Sequence, residues 1–393
     1  MNDLAVDRHA AYFRYCLNVL PSPYVAVDAT RLAMVFFSIA GLDLLGCLPN
    51  VDPEIELGKT LSARSKVSEK TAQAWIEWIY STCMIPGGAM FRASPSIGAE
   101  SNSNQFRYDV GHIAGTYFAL STLLILRDDL SRIDRKAMLS WLRACQREDG
   151  SFASGVFNWK TDKQEQFGER DLRFGYCAAA IRWMIGGDRL VTQEAVEDIN
   201  VESAITYVVQ ECWTYDGGLG MGGMSEGHGG FTYCGVGLVK LLDGDLERCF
   251  GREKLQQLIR WSVAHQVAEP GEDGASIAGF NGRINKDPDT CYAFWVGGTL
   301  DMLGKEWLEK TSLGRWTAYL VETTQNQDIG GFGKTADSMP DVMHSYLGLA
   351  ALALRAASYA DCLKQLDGSL CIAADGREHA EKLRRSWDEQ RSR

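Results

Sequence analysis

The sequence predicts an all-α fold, in which five or six helical hairpins close into an α/α barrel. Two observations predict it: apolar residues recur at helical spacing almost throughout, and one tryptophan–glutamine–glycine pattern repeats along the chain. Met343, Tyr346, Leu347, Ala350, Ala351 and Leu354 fall at i, i+3, i+4, i+7, i+8 and i+11, which makes one apolar helix face. Leu32, Val35, Phe36 and Ile39 do the same, and Ile113–Leu126 is apolar nearly all round, as a helix buried on most sides would be. Sustained period-2 alternation is scarce, which argues against sheets.

The repeat runs from a tryptophan-bearing helix to Gln, then to Asp, Gly and an apolar residue. Trp141 leads to Gln146, Asp149, Gly150 and Phe152; Gln210 leads to Asp216, Gly217, Gly218 and Leu219. Trp261 leads to Gln266, Gly279 and Phe280, and Trp316 to Gln327, Gly330, Gly331 and Phe332. A fainter copy joins Trp75 to Gly87, Gly88 and Phe91. The apolar turn residues are 61, 67, 61 and 52 positions apart, room for two helices and a turn in each copy. Copies at a near-fixed period point to one closed array, not to separate domains. We therefore expect a single domain over 1–374. Residues 268–278 read as a polar, Gly-rich surface insertion, and 375–393 as a charged tail, either a solvated helix or a frayed end.

Bulk composition narrows the function. Of 393 residues, 46% are apolar and 23% charged, which fits a globular chain. A formal charge of −11 argues against nucleic-acid binding. No run of 18 uncharged apolar residues predicts a membrane span, and residues 1–13 lack the pattern of a secretory leader. Eleven scattered cysteines without a CxxC pair predict free thiols in a reducing, cytoplasmic setting.

Three clusters can carry chemistry. In Asn285-Lys286-Asp287-Pro288-Asp289-Thr290-Cys291, Pro288 marks a helix start. There the chain is not yet regular, so Asp289 and Cys291 can converge on one ion. His344, early in the helix after the Gly331-Phe332 turn, is the candidate third ligand. Carboxylate, thiolate and imidazole with one open position describe a catalytic zinc site. The Gly-rich loop 216–230 formally fits GxGxxG, but no strand precedes it, so it is not a dinucleotide site. It presents His228 at a helix start instead, a place suited to anions. Arg283 and Lys286 add two cations beside the Asp-x-Cys pair.

With these residues in view, GRINKDPDTCYAFW (282–295), EGHGGFTYCG (226–235), ERDLRFGYCA (169–178) and PDVMHSYLG (340–348) together resemble the β subunits of protein prenyltransferases. The resemblance covers about residues 10–356 and implies an α/α toroid of six hairpins. It implies one zinc ion held by Asp289, Cys291 and His344, at which a substrate cysteine becomes a thiolate that attacks an isoprenoid diphosphate. It gives His228, Arg283, Lys286 and Tyr292 to the diphosphate. Arg173, Tyr176, Cys234 and Trp295 match positions lining the isoprenoid cavity, with Glu169 and Asp171 bracing the wall. A separate α subunit is the implied partner.

Within the family the sequence resembles the type I geranylgeranyl enzymes more than the farnesyl or Rab-specific ones. TRLAMVFFSIAGLDLL (30–45) and GHIAGTYFAL (111–120) carry this. Ala33 stands where farnesyltransferases have a tryptophan closing the cavity, and Leu347 where they have tyrosine, so a longer lipid is expected. Lys334 stands where they have a magnesium-binding aspartate, so no Mg²⁺ requirement is expected, and Lys334 joins the diphosphate and catalytic sets. His112, Met343 and Phe37 are assigned to the pocket for a C-terminal Cys-a-a-X tail ending in Leu or Phe, with Rho-type GTPases as substrates. Departures from the family pattern are Asp287-Pro288, Phe231 in place of tyrosine, Met343 in place of leucine, and the length of 268–278. A farnesyl enzyme is the near alternative. A terpene cyclase would need a DDxD or DxDD motif, which is absent, and a helical-repeat scaffold would bind no metal.

Overall fold

The computed structural model describes residues 4–49, 62, 64–95, 110–158, 160, 163–194, 196–270, 276–354 and 359–389. Six helices ring the centre: α2 (Arg31–Leu44), α4 (Ile113–Ile125), α6 (Leu172–Met184), α9 (Gly229–Leu242), α12 (Thr290–Leu303) and α15 (Val342–Ala353). Each packs on the next, and α15 packs back on α2, so the ring closes. Their residues are almost wholly buried, which explains why Ile113–Ile125 is apolar all round. Each is preceded by an outer helix: α1 (Val6–Asn18), α3 (Glu69–Trp78), α5 (Arg135–Cys145), α8 (Val201–Thr206), α11 (Arg252–Ala264) and α14 (Leu313–Ala318). The expected α/α barrel is therefore observed, with six hairpins among the described residues. Three short helices, α7 (Gly187–Glu194), α10 (Leu246–Phe250) and α13 (Lys305–Glu309), connect them.

The repeat has a mechanical meaning. Each outer helix ends in a tight turn closed by one backbone bridge: Met84 to Phe91, Gln146 to Phe152, Trp213 to Leu219, and Gln325 to Phe332. Two sequence assignments shift here. Trp213, not Gln210, and Gln325, not Gln327, hold the bridging position. Gln210 and Gln327 only lie near it in sequence, and the backbone pairing, not spacing, sets the register.

The shared glutamine clamps the next hairpin. Gln146 Oε1 accepts from the Asn200 N–H at 2.6 Å and its amide donates back to the Asn200 carbonyl at 2.9 Å. Gln266 treats Ser312 the same way, and Gln325 Oε1 accepts from the Ala5 N–H at 2.9 Å. Asn200, Ser312 and Ala5 are the N-caps of α8, α14 and α1. The last contact joins the sixth hairpin to the first. Gly150 and Gly330 lie at φ 88° and 78°, with the neighbouring outer helix so near that a side chain would strike its backbone at Ser203 or Arg8.

Strands are few: β1 (Gly155–Phe157) with β2 (Glu165–Phe167), β3 (Gln266–Pro270) with β4 (Ser276–Phe280), and β5 (Leu366–Asp367) with β6 (Ile372–Ala373). The segment 268–278 falls in the β3–β4 hairpin, where Gln266 pairs with Phe280 in the register of the other turns; residues 271–275 lie outside the described residues. The β5–β6 turn enters the far end of the barrel. Tyr233, Tyr176, Tyr117 and Tyr346 donate to the carbonyls of Gly368, Ser369, Leu370 and Cys371 in order, at 2.6–2.9 Å. The charged C-terminal segment forms helix α16 (Ala374–Glu389), which buries Ala380 and Arg384 against the barrel; 390–393 lie outside the described residues. By length and composition Ser22–Leu44 could cross a membrane, but it holds two elements, a 3₁₀ stretch and the inner helix α2, and half of its apolar window is buried in the protein.

Candidate metal centre and anion pocket

The inner helices run parallel, so their N-termini gather at one mouth, and the N-caps carry the chemistry. His112, Asp171, His228, Asp289 and Asp341 cap α4, α6, α9, α12 and α15, each accepting a backbone N–H of its own helix. Such caps need polar acceptors, and helix N-termini favour anions. Residues that bind metals or anions therefore also fix the backbone here.

Asp289 is extended at φ −140°, ψ 159°, and its Oδ1 accepts from the Cys291 N–H at 2.8 Å. This turn is what lets two residues of one helix start face a common point. Ligand atoms of Asp289, Cys291 and His344 all lie within 4.8 Å of one another, and all three residues are buried. His344 turns Nε2 toward the cluster, 3.9 Å from Asp289 Oδ1. Its Nδ1 lies 2.6 Å from Asp341 Oδ2 and donates to that carboxylate. That bond leaves the Nε2 lone pair for a cation, the arrangement of a metal-bound histidine with a carboxylate behind it. Burial, and next the Asp289 carboxylate, push the Cys291 thiol well above the usual range; a divalent cation would reverse this by stabilising the thiolate. Donor types, spacing and the orienting carboxylate fit zinc. Asp341 escaped the sequence reading. The available signal was an Asp three residues before His344 at a helix start.

The cations stand beside this cluster. A cavity of about 300 Å³ is lined by Arg283, Lys286, Asp289, Tyr292 and Lys334, so the metal cluster and the cations share one wall. Lys334 is held there by its loop: the Thr290 N–H donates to its carbonyl at 3.0 Å and the Thr290 hydroxyl to the Gly333 carbonyl at 2.6 Å. His228 joins through Tyr292, whose hydroxyl is 3.1 Å from His228 Nε2. Burial, then Arg283 and Arg173, lower the His228 pKa to about 4, so it is neutral. Burial pushes the Tyr292 phenol up to about 12.

The remaining residues divide by depth. Arg173 lies at the mouth rather than inside, paired with buried Asp171, with its guanidinium 5.9 Å from the Phe231 ring that packs on His228. Glu169 lies close enough to raise the His112 pKa, against the larger lowering by burial. Tyr176 is deep, on the β5–β6 turn. Cys234, Ala33 and Leu347 are buried on α9, α2 and α15, and Trp295 packs on Tyr233 at 5.0 Å. Met343, Phe37 and His112 belong to three neighbouring inner helices. Phe37 meets Tyr346 and Phe118, and His112 meets Phe174.

Comparison with known proteins agrees with this geometry. A family description, prenyltransferase alpha-alpha toroid domain, matches residues 4–372. The chain belongs to that family. It is 32% identical to the geranylgeranyl transferase type-1 subunit beta of Dictyostelium discoideum, over 88% of this chain and 89% of that protein. It is also 32% identical to the Arabidopsis thaliana protein of the same name, over 88% and 84%. A solved structure, Candida albicans protein geranylgeranyltransferase-I complexed with GGPP, is similar with a TM-score of 0.81 and 29% identity, covering 97% of this chain and 99% of that one. The resemblance read from the four motifs thus holds, down to its type I leaning.

Proposed function

We propose that this chain is the catalytic β subunit of a type I protein geranylgeranyltransferase. It acts beside a separate α subunit, in the cytoplasm. It moves a geranylgeranyl group from its diphosphate to the cysteine thiol of proteins ending in Cys-a-a-Leu or Cys-a-a-Phe, Rho-type GTPases among them. The strongest support is the shared wall, where the Asp289–Cys291–His344 cluster borders the cavity of Arg283, Lys286 and Lys334.

Zinc, held by those three residues, supplies the charge that keeps the acceptor thiol deprotonated at neutral pH. Asp341 fixes the His344 ring so that Nε2 faces the ion. Arg283, Lys286 and Lys334 neutralise the donor diphosphate and hold it beside the thiol, and positioning of this kind supplies much of the rate. The thiolate sulfur bonds to C1, and the C1–O pair leaves with the diphosphate. The Lys334 ammonium does there what a magnesium ion would otherwise do, so Mg²⁺ is not required. Ala33 and Leu347 leave room on the barrel wall for the longer lipid, while His112, Met343 and Phe37 receive the last residue of the tail.

The test is transfer by the zinc-loaded αβ complex, from geranylgeranyl and farnesyl diphosphates, to tails ending in Leu and Ser. The geranylgeranyl donor and the Leu tail should be preferred, without added Mg²⁺. Preference for the farnesyl donor would make the chain a farnesyl subunit. Less than about half a zinc per chain, against the single ion such a site holds, would favour a non-catalytic scaffold.

A further inference from the structure

Resting on that reading, we propose that Gly282 and His228 are positioning residues that hold the Tyr292 hydroxyl as the hydrogen-bond donor to the departing diphosphate oxygen.

The phenol ring of Tyr292 is clamped between two glycines. A Cβ on Gly282 would fall inside the ring, and one on Gly229 would stand 3.0 Å from its Cδ1. The two glycines are themselves joined, the Gly229 N–H donating to the Gly282 carbonyl at 2.9 Å. Gly282 is not among the positive-φ glycines, so its own backbone does not demand glycine. What demands it is the close approach of the ring.

The third contact sets the direction of the hydroxyl. His228 Nδ1 accepts from the Gly230 N–H at 3.0 Å. In a neutral ring an accepting Nδ1 leaves the proton on Nε2. Nε2, 3.1 Å from the Tyr292 oxygen, is therefore the donor in that pair. The tyrosine oxygen accepts, and its own proton is left for the cavity it lines with Arg283, Lys286 and Lys334.

This placement suits one moment of the reaction. Tyr292 directly follows Cys291 in the first turn of α12, between the acceptor cluster and the cations. As the sulfur–C1 bond forms, the C1–O bond breaks and its electron pair collects on the departing oxygen. The cations hold the diphosphate before and after this step. A neutral O–H fixed beside the breaking bond gains strength only as that charge grows, so it lowers the barrier more than it tightens binding.

A double-mutant cycle on the zinc-loaded αβ complex tests this, with single-turnover transfer and donor affinity measured separately. Tyr292→Phe should slow transfer by roughly tenfold to a hundredfold, with donor affinity changed less than about threefold. Gly282→Ala should do the same by displacing the ring. His228→Asn keeps a capping oxygen but cannot reach Tyr292, so it provides a second arm should Gly282→Ala fail to fold. In the Tyr292→Phe background each of these two should cost less than about twofold more, because the hydroxyl they position is already gone. Penalties that multiply, or that fall on donor affinity instead of rate, would overturn the proposal while leaving the functional reading intact. A wild-type complex that transfers no prenyl group would sink the functional reading and this inference with it.

Discussion

The two ends of the barrel are built from the same helices and do opposite work. At the mouth, helix N-caps are charged or ionisable: Asp171, His228, Asp289 and Asp341, with Arg283, Lys286 and Lys334 beside them. At the floor, a row of tyrosines meets the 368–371 carbonyls through neutral hydrogen bonds. Parallel helices impose this difference. Their N-termini offer unpaired N–H groups that want acceptors and favour anions, so polar caps collect at one end. The floor needs only to be closed and satisfied. Substitutions at the mouth should therefore strike rate and metal binding with little loss of stability, and those at the floor the reverse.

The sharpest way to break that contrast is at the metal. Cys291→Ala or His344→Ala should lower prenyl transfer by about a thousandfold or more, the scale of losing a group the chemistry depends on. Zinc content should fall in parallel, as elemental analysis of the purified complex would show. Retention of one zinc per chain would move the metal elsewhere. Cys291 is the better probe, since it is not a cap and its loss leaves Asp289 holding the helix start.

Next in size is the lipid wall. Ala33 is 7% exposed on α2, between α4 and α15. Ala33→Trp adds a ring of large area there and should shift the ratio of kcat/KM toward the farnesyl donor by about tenfold to a hundredfold, the range steric pockets can discriminate. An unchanged ratio would show that the lipid does not reach α2. Asp341→Asn is of similar or smaller size. It keeps a cap for α15 but loses the charge behind His344, so zinc affinity should drop about tenfold to a hundredfold. A chelator titration of the complex measures this directly, and unchanged affinity would leave Asp341 a cap only.

The sequence revealed the mouth more readily than the floor, for a physical reason. Metal ligands and cations are rare residue types in short motifs, so GRINKDPDTCYAFW announces them. Asp341 was hidden because an Asp before an apolar run reads as an ordinary cap; its second oxygen on Nδ1 is visible only when His344 folds back toward it. The tyrosine row was hidden differently. Tyr117, Tyr176, Tyr233 and Tyr346 sit on separate helices, and their common partner lies at 368–371, beyond the last repeat. The glutamine repeat was legible, but its register was not. Spacing alone made Gln210 and Gln327 look equivalent to Gln146, whereas backbone bridges single out Trp213 and Gln325.

The seam that closes the ring gives a pH-dependent test away from the mouth. His9 on α1 is fully buried. Its Nδ1 accepts from the Gly331 N–H at 2.8 Å, and its Nε2 lies 2.8 Å from Gln325 Oε1. Both nitrogens are satisfied by the neutral ring. Burial lowers its pKa to about 4, with the Gln325 bond opposing part of that shift. Between about pH 6.5 and 4 the unfolded chain binds a proton that the folded one refuses. Stability should therefore fall as the pH drops through that window, by up to roughly 1.4 kcal/mol per pH unit from this group. Thermal melts of wild type and His9→Gln across the window would show it, the variant having the shallower slope. Parallel slopes would place the acid sensitivity elsewhere.

The smallest effect is expected at the floor, where it separates the two ends most cleanly. Tyr233 has no exposed surface, and its hydroxyl donates to the Gly368 carbonyl at 2.8 Å, 3.2 Å from the Tyr176 hydroxyl. Tyr233→Phe keeps the ring and its packing on Phe294 and Trp295 but leaves one buried carbonyl without this donor. The cost should be about 1–3 kcal/mol, the penalty for one unsatisfied buried acceptor. It should appear as a melting temperature lowered by a few degrees, with kcat and zinc content close to wild type. The neighbouring tyrosines still hold the turn at Ser369, Leu370 and Cys371, so the floor should stay shut. If the variant instead lost zinc or slowed transfer as the mouth variants do, the ends would not be separable, and the floor would be acting on the chemistry through the helices that join them.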